Sequence, residues 1–147
     1  MSLTRLIFLN LPVANVAAST AFYEAIGADK NPMFSDESTS CMVFSDTIHV
    51  MLLSHERFQG FAPGRPVADA QTATGMLIAI SQESRAGVDA VIAKAEAAGG
   101  RADPNPRQEV GDFMYGRSFQ SPDGHIWEVM WMDVEAAMAP QDVSATA

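Results

Sequence analysis

The chain has 147 residues, 48% hydrophobic and 18% charged, enough for one good-sized globular core but not for two independent large domains. Its formal net charge of −9 repels phosphate backbones and anionic lipid surfaces, which argues against nucleic acid and membrane as partners. No apolar run is long enough to span a bilayer, residues 1–9 lack the pattern of a secretory signal, and the single Cys41 can form no internal disulfide, so the cytoplasm is the expected compartment.

In residues 5–13, Leu9, Leu11 and Val13 alternate with Phe8, Asn10 and Pro12, which predicts a strand with two unlike faces. Asn15 is a good N-cap, Ala18, Phe22 and Ile26 follow at helical spacing, and Gly27 ends the helix. Short strands are expected near 31–34, 40–45 and 48–53, with Asp46-Thr47 joining the last two and Cys41 as a buried structural thiol. The first unit reads βαβββ. Residues 54–73, with Gly60, Pro63, Gly64 and Pro66, read as a linker, and its Phe58 and Phe61 suggest that it also covers the mouth of a pocket. A strand at 75–80 leads to a helix capped by Ser84 or Ser81, with Val88, Val91, Ile92 and Ala95 on one face and Gly99-Gly100 at its end. A polar stretch at 102–107 and a strand at 113–120 come next.

Pro122-Asp123-Gly124 then has the chemistry of a tight turn. In the strand that follows, Trp127, Val129 and Trp131 share the core face, and Ile126, Glu128 and Met130 share the other. A carboxylate on so apolar a face points to a cleft, with a solvated surface Glu as the alternative. The tail, 133–147, is expected to make one helical turn and then fray.

The second unit therefore also reads βαβββ. The predicted fold is α+β: two βαβββ modules, 4–53 and 74–132, whose curved mixed sheets enclose a shared cleft. Seven residues separate Phe8 from the cap Asn15, and seven separate Met76 from Glu83 beside Ser84, which pairs Phe8 with Met76.

The repeated module, the first-helix segment Ala21-Phe22-Tyr23-Glu24 before Gly27, and the closing run Ser121-Pro122-Asp123-Gly124-His125-Ile126-Trp127-Glu128 resemble the vicinal oxygen chelate superfamily. Glyoxalase I, extradiol dioxygenases and bleomycin-resistance proteins belong to it. The likeness spans residues 4–132. It implies a cavity that, in metal-dependent members, holds a divalent metal through one residue from the first and last strand of each half. Such a metal acts as a Lewis acid on two neighbouring substrate oxygens. On that pattern the first-strand positions fall on Phe8 and Met76, which cannot bind a hard divalent ion. The last-strand positions fall on Glu128, four residues past Gly124, and within 48–53, where His49 is the competent side chain, with a hydrogen-bonded strand histidine as its alternative role. Two ligands, His49 and Glu128, are fewer than a retained site usually keeps, so no cofactor is firmly expected.

With Phe8 and Met76 in place of ligands, the cleft is expected to be an apolar chamber. Met51 adds an adaptable methionine, and Asn10, His49, Tyr115, Arg117 and Glu128 edge the chamber. His125 is expected to be a structural strand residue on the Trp127 face, and His55 a solvated linker residue. Three functions stay open. One is a glyoxalase- or dioxygenase-like reaction on a small oxygenated molecule, with Glu128 as ligand or general base, since desolvation raises a carboxylate's proton affinity. Another is metal-free binding of a small aromatic or cationic compound, as in bleomycin-resistance proteins. The last is a cavity filled by its own side chains in a domain that only dimerises. A homodimer is expected in any case, with Trp127 or Trp131 capped by the partner chain.

Overall fold

A computed structural model of the protein describes residues 3–139. β1 (Ile7–Val13) leads into α1 (Val16–Ala25), where Asn15 Oδ1 accepts the Ala18 amide at 2.9 Å and closes the first turn. β2 (Asp29–Asn31), a 3-10 turn (Pro32–Phe34), β3 (Thr39–Val43) and β4 (Ile48–Ser54) complete the first unit. After α2 (His55–Phe61) and an irregular stretch, the second unit runs through β5 (Leu77–Ser81), α3 (Arg85–Ala97), β6 (Arg101–Ala102), β7 (Gln108–Val110), β8 (Met114–Gln120) and β9 (Ile126–Met132). A single turn, α4 (Val134–Met138), follows; the fraying expected at the chain end falls outside the described residues.

The first sheet has the order β1-β4-β3-β2 and the second β5-β9-β8-β6, with β7 also on β8. In each, the first long strand lies parallel to the last while the other neighbours are antiparallel. That shared order is the expected βαβββ repeat in an α+β fold, the helix being the crossover that a parallel pair requires.

Three local expectations change. Pro32 has no amide to give a sheet, and Asn31 Oδ1 accepts from the Met33 amide at 3.0 Å, so the chain tightens into a 3-10 turn where a strand is predicted. The linker opens with a helix, because Ser54 Oγ accepts from the Arg57 amide at 3.1 Å and Phe58 and Phe61 sit one turn apart. Of the polar stretch 102–107, Ala102 joins β6 and residues 103–107 loop out before β7, which pairs with the same strand.

One core joins the two units. Leu11, Val13, Val50 and Leu52 of the first sheet meet Ile78, Phe119, Trp127 and Val129 of the second beneath α1 and α3. Trp127 is fully buried at the seam; its Nε1 donates to the Tyr23 hydroxyl at 3.1 Å and its ring stacks on Phe44 and Phe119. This chain, not a partner, caps Trp127. Burial pushes the Tyr23 phenol far above its ordinary range, keeping it a neutral hydroxyl. Trp131 is covered by Arg85, whose guanidinium lies 5.3 Å from its ring centre.

The Pro122-Asp123-Gly124 turn fastens the second unit to the first. Asp123 Oδ1 accepts the Ala14 amide at 2.8 Å, Gln71 Nε2 donates to the Pro122 carbonyl at 2.6 Å, and His125 Nε2 lies 2.8 Å from the Pro12 carbonyl. His125 thus precedes β9 and ties the units together, instead of sitting on the strand face with Trp127. Gly124, at φ +98°, passes so close to Ala70 that an added Cβ would meet its carbonyl carbon at 2.6 Å. No helix of the described residues is long and apolar enough to cross a membrane.

Candidate ligand-binding site

Each sheet turns one face to the helices and the other outward. On the first sheet, Leu9, Leu11 and Val13 face the core, leaving Phe8 and Asn10 on the open face in register with His49 and Met51. Phe8 is 50% exposed, and its ring stacks on His49 with centres 4.6 Å apart and planes 16° from parallel. The Nδ1 of His49 is buried without a hydrogen-bond partner among the described residues. Asn10 makes only a long 3.4 Å contact to its neighbour's carbonyl at Phe8, so its amide is available to a ligand. These four expected site residues come together.

On the second sheet, Ile78 and Ile80 face the core, and Leu77 and Ala79 stand on the open face beside Ile126 and Glu128. Glu128 is half-buried. Asn105 Nδ2 donates to its Oε1 at 2.6 Å, and Ser118 lies directly across from it on β8. Sequence reasoning did not single out Asn105. The signal present was its bracketing by Pro104 and Pro106, which marks a stiff loop but not where that loop points.

Tyr115 and Arg117 lie elsewhere than expected. Strand alternation puts them on the helix-covered face with Phe119, and Tyr115 belongs to the core cluster. The Tyr115 hydroxyl donates to Asp89 on α3 at 2.6 Å; Arg117 reaches Asp89 at 2.9 Å and grips Asp103 with two bonds of 3.0 and 2.7 Å. The bond from Tyr115, then that from Arg117, holds the Asp89 carboxyl below its usual range, and the Arg117 fork does the same for Asp103. Both are structural ties between α3, β8 and the 103–107 loop.

Met76 also moves. Ser84 Oγ, accepting the Gly87 amide at 2.9 Å, is the helix cap, so the residue seven before it is Leu77. Leu77, then, matches Phe8. Carrying the parallel registers across, His49 matches Ile126, and Glu128 matches Met51. Met76 instead lines a cleft of about 200 Å³ at the junction of the units, with Asn10, His125 and Phe58 and with Ala68, Ala70 and Ala73 of the irregular stretch. The expectation that residues 54–73 lie over a pocket agrees with this lining.

The sequence matches, over residues 5–129, the family model described as Glyoxalase/Bleomycin resistance protein/Dioxygenase superfamily. The chain belongs to this superfamily. Solved structures share the fold at low identity. A hypothetical protein from S. aureus is 21% identical, with TM-score 0.71 over 88% of this chain and 95% of that one. Fosfomycin resistance protein FosX from Mesorhizobium loti is 15% identical, with TM-score 0.65 over 94% and 100%. The bleomycin resistance determinant encoded on the transposon Tn5 is 15% identical, with TM-score 0.60 over 88% and 99%. No curated protein matches the sequence.

Superfamily membership raises the question of a metal, and the donors bear on it directly. His49 and Glu128 do not occupy matching positions in the two units. The strand neighbours of Glu128 are Ala79 and Ser118, and those of His49 are Phe8 and Val43. Among the described residues no three His, Cys, Asp or Glu side chains form a group that could hold an ion. These residues do not fit a divalent centre of the kind the superfamily resemblance implies. Cys41, buried on β3, has its thiol pushed up by burial and supplies no reactive thiolate.

Proposed function

We propose that the protein binds a small organic molecule without a metal, seating an apolar body on the open sheet faces and a positively charged group at Glu128. One observation carries this reading: a half-buried carboxylate, fixed by a neutral amide and set across from Ser118, on a face where Leu77, Ala79, Ile126 and Met130 are its apolar neighbours. A half-buried carboxylate to which no cationic side chain of the described residues is bonded favours a ligand that brings the cation. The fixed carboxylate also favours a second reading, proton abstraction from a small oxygenated molecule with Glu128 as general base.

The same reading includes a homodimer in the cytoplasm. Phe8 and Leu77 are each about half exposed and Met132 is 40% exposed, so apolar side chains stand on both open faces. A second copy laid across them would turn two shallow faces into an enclosed chamber. The lone buried thiol suits a reducing compartment.

Calorimetric titration with benzylamine and with its neutral counterpart benzyl alcohol tests the binding. Glu128→Gln keeps the shape and removes the charge, so it is expected to weaken benzylamine by about 1–3 kcal/mol and leave benzyl alcohol unchanged. Equal loss for both probes, or for neither, rules out the carboxylate as the cation's partner. Sedimentation equilibrium at micromolar concentration should give twice the 15.8 kDa chain mass; the single mass would remove the dimer.

A further inference from the structure

We infer that the cleft between α1, α3 and the end of β5 binds a small, flat carboxylate, held by Lys94 and Gln82 over an apolar floor. The site lies on the helix side of the sheets and does not rest on Glu128. Its volume is about 330 Å³, within the range of sites that take small organic molecules. Phe44, Ile80, Val91 and Phe119 make up much of its apolar lining.

The repeat explains why a cleft stands here. With Leu77 matching Phe8 and Ile126 matching His49, Ser81 and Gln82 match Pro12 and Val13, and the turn Ser45-Asp46-Thr47 matches Pro122-Asp123-Gly124. In the first unit the Ala14 amide and the Pro12 carbonyl are bonded by Asp123 and His125. In the second, no hydrogen bond among the described residues joins 45–47 to 81–84. A seam fastened at one end is open at the other.

Gln82 departs from its match as well. Ile78, Ile80 and Gln82 alternate onto the inward face, and the Gln82 amide prolongs the sheet by donating to the Met130 carbonyl at 2.7 Å. The first unit has Val13 at that position, fully buried. The second has a half-buried carboxamide whose side chain bonds to nothing among the described residues. Such a group costs free energy that a ligand's polar atoms recover.

The charge comes from α3. Gly87, Ala90, Val91 and Lys94 recur at i, i+3, i+4 and i+7, so one face of α3 follows the cleft for about 10 Å. Gln82 Oε1 lies 3.1 Å from where a Gly87 Cβ would stand, so the glycine makes room for the carboxamide at one end of that face. Lys94 stands at the other end. Among the described residues it is the sole charged side chain of the lining, and it pairs with no acid. An ammonium and a carboxamide N–H, with no carboxylate in the lining, favour an anionic group on an apolar body.

The test is calorimetric titration of the full chain with 2-naphthoate and with its uncharged counterpart 2-naphthamide. The unaltered protein should bind one naphthoate per chain and prefer it to the amide. Lys94→Met keeps the length and removes the charge, so it should weaken naphthoate about fivefold and leave naphthamide unchanged. Ala90→Leu, a good helix former that fills the cleft, should weaken both probes at least tenfold. Ala93→Leu, on α3 outside the lining, should weaken neither, and Glu128→Gln should leave naphthoate binding intact. No binding of naphthoate to the unaltered protein, full binding to Ala90→Leu, or equal loss in Ala93→Leu would overturn the site. A loss with Glu128→Gln would place the probe on the open faces and overturn it too. If Lys94→Met retains the preference for naphthoate over naphthamide, the assignment to a carboxylate is overturned.

Discussion

On the first sheet the row through Asn10 and Met51 carries no carboxylate; the matching row of the second sheet, Ala79 and Glu128, carries one fixed by Asn105. The core-facing rows behave differently. Leu9 and Val50 match Ile78 and Trp127, and Leu11 and Leu52 match Ile80 and Val129, so every one of these positions is apolar in both copies. Close packing around one shared core limits what the inward face tolerates. The outward face carries no such constraint, and there the two units have taken on different chemistry.

The largest expected effect comes from separating the units at their clamp. Gly124→Ala places a Cβ against Ala70 at a left-handed φ, so we expect a loss of about 3 kcal/mol of unfolding free energy in urea. Gly64→Ala, where an added Cβ meets nothing within 4 Å, should stay within about 0.5 kcal/mol. Similar losses for both would mean that the turn does not fasten one unit to the other.

A smaller loss should follow from removing the tie found on the second sheet. Arg117→Met leaves Asp89 without its cation and Asp103 with only the longer 3.4 Å contact to Arg107, and frees the 103–107 loop, with an expected loss of about 2 kcal/mol. The pH dependence has a fixed sign. Both carboxyls are held below their usual range in the folded state, so their contribution is present above the unfolded value near pH 4 and is lost as pH falls through the lowered folded values. Stability of the variant should therefore fall less steeply in acid than that of the unaltered protein. Parallel acid limbs would contradict the ion-pair account.

Tyr23→Phe tests the seam itself. It strips the acceptor from Trp127 Nε1 in a fully buried place and should cost about 1 kcal/mol, without altering the slope of unfolding against urea.

Much of this was legible in the chain because alternation and caps are local. Asn15, the Leu9-Leu11-Val13 alternation and the Pro122-Asp123-Gly124 turn each point to their element by neighbouring residues alone, and the repeat follows from comparing them. Glu128 was legible for the same reason, a lone charge in an alternating apolar strand. What escaped depends on distant partners. Tyr115 and Arg117 have the chemistry of site residues, but the parity of β8 turns them toward Asp89. Met76 was misassigned by taking Glu83, one residue short of the cap Ser84, as the end of the count, and in a strand one residue exchanges the two faces. Asn105 lies 23 positions from Glu128 in a loop with no periodicity.

The smallest expected effect separates the two polar groups of the open faces most sharply. Glu128 is held by a donor, while His49 Nδ1 is buried and unpaired among the described residues, with its ring stacked on Phe8. An unpaired buried nitrogen costs stability that an apolar ring of similar shape does not, and Phe preserves the stack. His49→Phe is therefore expected to leave the thermal midpoint unchanged or raise it, by less than about 1 kcal/mol in stability. It should also leave benzylamine affinity intact, because the charge that meets the cation stands on the other sheet. A clear fall in stability would show that Nδ1 has a partner in the assembled protein, and with a second copy across the open faces that partner would belong to the opposing chain. A fall in benzylamine affinity alone would place His49 beside Glu128 in the ligand's surroundings, making the two faces halves of one site.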